Sequence, residues 1–202
     1  MINNKKELKF YVMADMMMNR GKFKYSLVDK VKHFFCPDYV MEFLKTLRYC
    51  EYYTNIGSIK RYYWKMKNNR LQLKLGFSIA LNVLEYGVVI PHYGTIVVGE
   101  GNTIGCYSVL HTSICITAGK KKIGDAFYCS TGTKVLNDIS IGKNISCAAN
   151  SVVNKDICID NVLVVGSPAI IKKKTEPWYI RDGKIILERV ENCNKLKQEI
   201  GV

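Results

Sequence analysis

The 202-residue chain contains His33, His92 and His111 and no other histidine. Imidazole ordinarily takes and returns a proton near neutral pH, so each is a candidate general base for a weak nucleophile such as a hydroxyl. His33 falls in a charged helical segment, residues 30–35, and is read as structural. His92 follows Pro91 where the local repeat is broken, and there a side chain can leave the wall of the fold and face a cleft. His111 is the second candidate. Neither His92 nor His111 has a cysteine beside it in sequence to suggest a covalent carrier.

What positions these histidines is a repeat over residues 104–170. An aliphatic residue or Cys returns every sixth position: Ile104, Leu110, Ile116, then after one inserted residue Ile123, Cys129, Val135, Ile141, Cys147, Val153, Ile159 and Val165. A second series lies four residues later with the same period: Phe127, Thr133, Ile139, Ile145, Ser151, Ile157, Leu163 and Ala169. Helices repeat at three and four and exposed strands at two, so a period of six fits neither alone. It fits short strands divided by sharp turns, whose stacked coils bury a column that no single repeat can bury. The pattern predicts a parallel β-helix, in a chain that is mainly β with an α-helical N-terminal part.

The run resembles the hexapeptide-repeat acyltransferases, whose β-helix is left-handed with three hexapeptides per coil, an exception to the usual right-handed crossover. His92-Tyr93-Gly94-Thr95-Ile96-Val97-Val98-Gly99-Glu100 is similar to the segment that carries the catalytic histidine of serine O-acetyltransferases. The residues from Gly76 to Asn82, then residues 92–96 and Leu110-His111, resemble a serine acetyltransferase-like branch found in capsule and exopolysaccharide gene sets. The likeness covers most of the chain and is strongest over residues 70–170.

The resemblance implies that His92 is the general base in direct transfer of an acetyl group from acetyl-CoA to a hydroxyl. It implies acceptor binding or orientation for His111, Glu100, Tyr93 and Asn82. For the coenzyme A donor it implies Thr117, Ala118, Ala148, Gly166, Lys172 and Lys173, with a backbone N–H near Thr117 or Ala118 meeting the developing oxyanion. The Asp that pairs with the family histidine falls at Phe77 here, so the dyad partner is missing. The family's assembly further implies a homotrimer with the site between adjacent subunits. No metal is expected, since the zinc site of β-helical carbonic anhydrases takes three histidines and only two lie on the coils.

The formal net charge is +13, and residues 1–75 hold 16 Lys and Arg against 6 Asp and Glu. Those basic residues are spread among aromatics without a nucleic-acid motif, so no nucleic acid is expected; a solvated face or peripheral association with a membrane surface remains. The N-terminus lacks the apolar core of a secretory signal, and a cytoplasmic location, with the inner face of the membrane as a refinement, is the expectation. Eight cysteines lie scattered without a CxxC pair, and Cys129 and Cys147 fall on the inward series as small hydrophobes.

The chain divides into a helical cap, residues 1–75, the β-helix, residues 76–174, and a C-terminal turn and helix, residues 175–202. In the cap, helices are predicted from Leu8, Tyr11 and Val12 to Gly21, from Ser26 to Phe35, from Pro37 to Tyr53, and from Ser58 to Leu73. For function, the leading expectation is O-acetylation of a carbohydrate in capsule or exopolysaccharide synthesis, the acceptor being a nucleotide sugar, a lipid-linked repeat unit or a polymer. It rests on Pro91 and the short Gly119-Lys120-Lys121-Lys122 connection, which replace the Asp and the Arg-His pair that hold an amino acid in the family. The alternatives are serine O-acetylation and a non-catalytic scaffold.

Overall fold

The computed structural model describes residues 1–202 apart from the side chain of Lys30. The N-terminal part is helical: α1 (Lys5–Arg20), α2 (Leu27–Phe35), α3 (Tyr39–Asn55) and α4 (Arg61–Leu75). Local chemistry sets the ends. Asn4 caps α1 by accepting from the Lys6 and Glu7 N–H groups, and Gly21 closes it in the left-handed conformation. Ser26 and Asp29 form a capping box at α2, and the Asp38 side chain caps α3.

Short strands from Phe77–Ile79 onward then wind into coils with three parallel faces. Ile96 pairs with Ile114 and Val98 with Ile116, one coil of 18 residues apart. The inserted residue before Ile123 stretches the next coil, so Ile116 pairs with Val135. The predicted inward series is buried from Ile104 through Val153, Cys129 and Cys147 included. Corners fall at left-handed residues, and Asn144 and Asn161 stack at one of them with a side-chain hydrogen bond of 3.0 Å.

The last two inward positions need correction. Ile159 is 56% exposed, and Val164 rather than Val165 is fully buried. The final coil is shorter: Cys147 pairs with Val164, and Ile141 bridges to Ile157. Carboxylates supply the turn there, with Asp156 accepting from the Ser140 N–H and Asp160 from the Lys143 N–H. The chain next doubles back as Ile170–Lys174, antiparallel to Val162–Val165, then forms α5 (Trp178–Arg181) and α6 (Lys184–Ile200).

The cap closes the N-terminal end of the coil stack. Phe43 of α3 meets Phe77 edge-on at 5.0 Å, and Leu44, Leu47, Leu71 and Leu75 extend the same core. Beneath the cap a buried ion network ties helices to coil. Arg48 reaches Asp15 at 2.8 Å and Glu51 at 3.1 Å and donates to the Leu84 and Glu85 carbonyls, while Asp15 accepts from the Gly87 and Val88 N–H groups. Helix α6 packs along α1, and the Trp178 indole donates to the Tyr107 carbonyl.

Candidate active site

The stretch before His92 is held by helix ends instead of by a regular strand. Asn19, near the end of α1, donates to the Val88 carbonyl at 2.7 Å and accepts from the Ile90 N–H at 3.1 Å. Just beyond, the Gly94 N–H donates to the Leu75 carbonyl that ends α4. His92 is thereby presented, exposed, between the two helix ends.

His111 lies one coil further on, where the Leu110 N–H donates to the Val89 carbonyl. The two imidazoles stand 6.5 Å apart between centroids, at an angle of 46°. His111 Nε2 and the Tyr128 hydroxyl are 2.9 Å apart, and the Arg181 guanidinium lies over the Tyr128 ring. Burial pushes His111 below the ordinary imidazole value and nearby His92 adds to the depression, with Asp182 opposing both. Burial likewise raises Tyr128, which stays a hydroxyl.

Two cavities flank the pair. One of about 430 Å³ is lined by His92 and Tyr93 together with Arg20, Asp38, Tyr39 and Lys74. The other, about 280 Å³, is lined by His111, Tyr128, Trp178 and Asp182. Arg20 and Pro91 line both. Asp38 is saturated: it accepts twice from Arg20, once from the Met41 N–H and once from the Tyr25 hydroxyl. Arg20 uses three of its five N–H donors on Asp38 and the Asn19 carbonyl, which leaves two.

The other expected site residues sit elsewhere. Asn82 exchanges hydrogen bonds with Asn55, and its N–H donates to Glu51, so its amide is engaged by α3 and lines neither cavity. Glu100 is exposed at the turn after Ile96–Val98 and lines neither cavity. Phe77, at the dyad position, is a core residue. His33 accepts the Asp38 N–H on Nδ1, a structural contact.

Around the expected donor site, the Thr117 N–H is spent on Val135 and that of Ala148 on Val164. The Thr117 carbonyl takes hydrogen bonds from Asn102 and from the buried Lys121 ammonium. Among the described residues the Ala118 N–H meets no backbone acceptor. Gly166 accepts from the Val152 N–H, and Lys172 and Lys173 are exposed on the returning strand. Sequence reading missed Arg20, Tyr128 and Asp182. Tyr128 was accessible, because Val109 pairs with it in register; Arg20 and Asp182 are brought in by helix docking.

No protein-family model matches the chain. The serine acetyltransferase of Buchnera aphidicola subsp. Acyrthosiphon pisum is 32% identical over 130 residues, 56% of this chain and 47% of that protein. The chain thus spans about half the length of the curated relative it matches. Among solved structures, Neisseria gonorrhoeae serine acetyltransferase in complex with serine superimposes with a TM-score of 0.66 at 21% identity, covering 84% of this chain and 70% of that one. The soybean serine acetyltransferase apoenzyme also gives 0.66 at 21% identity, covering 82% and 69%.

The fold is therefore that of the hexapeptide-repeat, left-handed β-helix acyltransferases, with the helical N-terminal part found in serine acetyltransferase structures. These comparisons overturn the expectation of a sugar O-acetyltransferase in capsule synthesis and favour the serine alternative.

Proposed function

We propose that the chain transfers an acetyl group from acetyl-CoA to the hydroxyl of serine, with His92 as general base. The observation that carries this reading is the sequence likeness to a serine acetyltransferase, in a chain that sets His92 exposed on a coil between two helix ends. In the proposed step the imidazole removes the hydroxyl proton as the oxygen attacks the thioester carbonyl. The C–S bond then breaks, and the imidazolium returns the proton to the departing thiolate. Of the two backbone donors expected beside the thioester, that of Ala118 is the one not already spent, which favours it for the oxyanion.

Loss of the family's ionic groups beside the histidine argued against an amino-acid acceptor. Side chains from other elements nonetheless support an amino-acid acceptor in this reading. Arg20 keeps two N–H donors for a carboxylate, and Asp182, whose ion-pair contact to Arg181 is a loose 3.7 Å, offers a carboxylate for an ammonium group. In this reading His111 stays neutral and orients the acceptor, and the acetyl donor lies against a neighbouring copy in a homotrimer.

The test is acetyl-CoA consumption with L-serine, ethanolamine and N-acetylserine, which respectively keep both charges, lack the carboxylate and lack the ammonium. Serine should be preferred, and Arg20→Met should raise its KM about tenfold or more while changing kcat little. Equal use of serine and ethanolamine, or no serine turnover by a protein that binds coenzyme A, refutes the reading.

A further inference from the structure

Helix α2 is amphipathic, but it is mounted with its apolar face outward. On its inner side Asp29 holds the Ser26 cap and the Lys22 ammonium at 2.7 Å, and His33 accepts the Asp38 N–H. On the other side Leu27, Val28, Val31, Phe34 and Phe35 are 79%, 63%, 60%, 80% and 75% exposed. Their spacing, i, i+4 and i+7 with neighbours at i+1 and i+8, makes one continuous stripe. Soluble proteins rarely leave such a stripe in water without a use for it.

Two observations identify what covers it. Exposed Lys32 borders the stripe. The helical part as a whole carries the +10 balance of 16 basic against 6 acidic residues. A second copy pressed face to face on this surface would bring like charge against like charge. An anionic bilayer matches both features, taking the aromatic and aliphatic side chains below its headgroups while the lysines stay at phosphate level. No helix among the described residues is long and apolar enough to cross a membrane, so the attachment lies in the membrane plane.

We propose that α2 is a membrane-docking helix whose partner is the surface of an anionic lipid bilayer. Pro37 and Asp38, which follow α2, line the His92 cavity, so docking sets that cavity beside the lipid surface.

Sedimentation with vesicles tests this on the full chain, comparing pure phosphatidylcholine with phosphatidylcholine containing about a third phosphatidylglycerol. The protein should partition onto the anionic vesicles, and about tenfold or more less with Phe34→Ser plus Phe35→Ser. Lys32→Glu should weaken binding several-fold, and so should a rise in salt. Both variants lie outside the His92 and His111 cavities, so circular dichroism and acetyl transfer in solution should be unchanged. Failure of serine acetylation alone therefore leaves this proposal standing. Equal binding to both vesicles, binding that ignores the Phe substitutions, or the double variant breaking a larger assembly into smaller ones without any lipid binding would each overturn it.

Discussion

Arg48→Met keeps the length of a side chain that is fully buried and removes its charge. In the native chain the guanidinium answers Asp15 at 2.8 Å, Glu51 at 3.1 Å, and the Leu84 and Glu85 carbonyls at 2.7 and 2.8 Å. Removing one member of a buried ion pair costs about 3–5 kcal/mol, because the partner's charge stays behind without compensation. Here two carboxylates and two carbonyls are stranded, so the upper end, about 5 kcal/mol, is expected. For a chain of this size each kcal/mol moves Tm by about 2–4 °C, giving a fall of about 10–20 °C. The loss also carries a pH signature. Burial holds both carboxyls above the ordinary carboxylate value even in the native chain, and Arg48, with the Gly87, Val88 and Asn82 N–H groups, opposes that rise. Without it, their folded pKa values rise further above the unfolded ones, and the folded state binds the extra protons. Stability of the variant therefore falls more steeply than that of the native chain as pH rises above the ordinary carboxylate range, and recovers as pH is lowered. Calorimetry at neutral and at mildly acid pH measures this. A fall in Tm under about 3 °C, or a large fall that ignores pH, would show that the network does not hold the cap on the coils as argued.

Two further outcomes follow from the histidine pair. His92→Asn should lower kcat about a hundredfold or more with coenzyme A affinity nearly unchanged, and turnover near the native rate would remove His92 from the base role. His111 is held below the ordinary imidazole value, so as pH falls below about 6.5 the unfolded chain takes up a proton that the folded chain resists, and native stability drops. His111→Asn should flatten the fall in Tm between pH 6.5 and 5; an unaltered slope would place the titration elsewhere.

The coil stack was legible because each coil must bury residues against the one before it, at a separation fixed by the chain. Cys129 on Cys147 and Val135 on Val153 show that constraint directly. It lapsed where Asp156 and Asp160 took over the turn, because a side chain can satisfy a backbone N–H at any length of connection. Helix starts were legible at Ser26 for a local reason too, the reciprocal bonds with Asp29. His111 could be found because it directly follows Leu110 of the repeat, and His92 because it stands at the break in that spacing after Pro91. The acceptor was misread because recognition obeys no such spacing. Pro91 stands where the resemblance calls for an acid, so the sequence alone reads as lacking that charge. Yet Arg20 enters the His92 cavity from the end of α1, and α1 is seated there by Asp15 and Asn19; Asp182 reaches the neighbouring cavity from the turn before α6. Those arrivals depend on how whole helices dock, and that of α1 rests on the buried Arg48 network. A substitution under the cap that touches neither cavity should therefore alter acceptor recognition before it alters the stack of coils, whose own hydrogen bonds run from strand to strand without the helices.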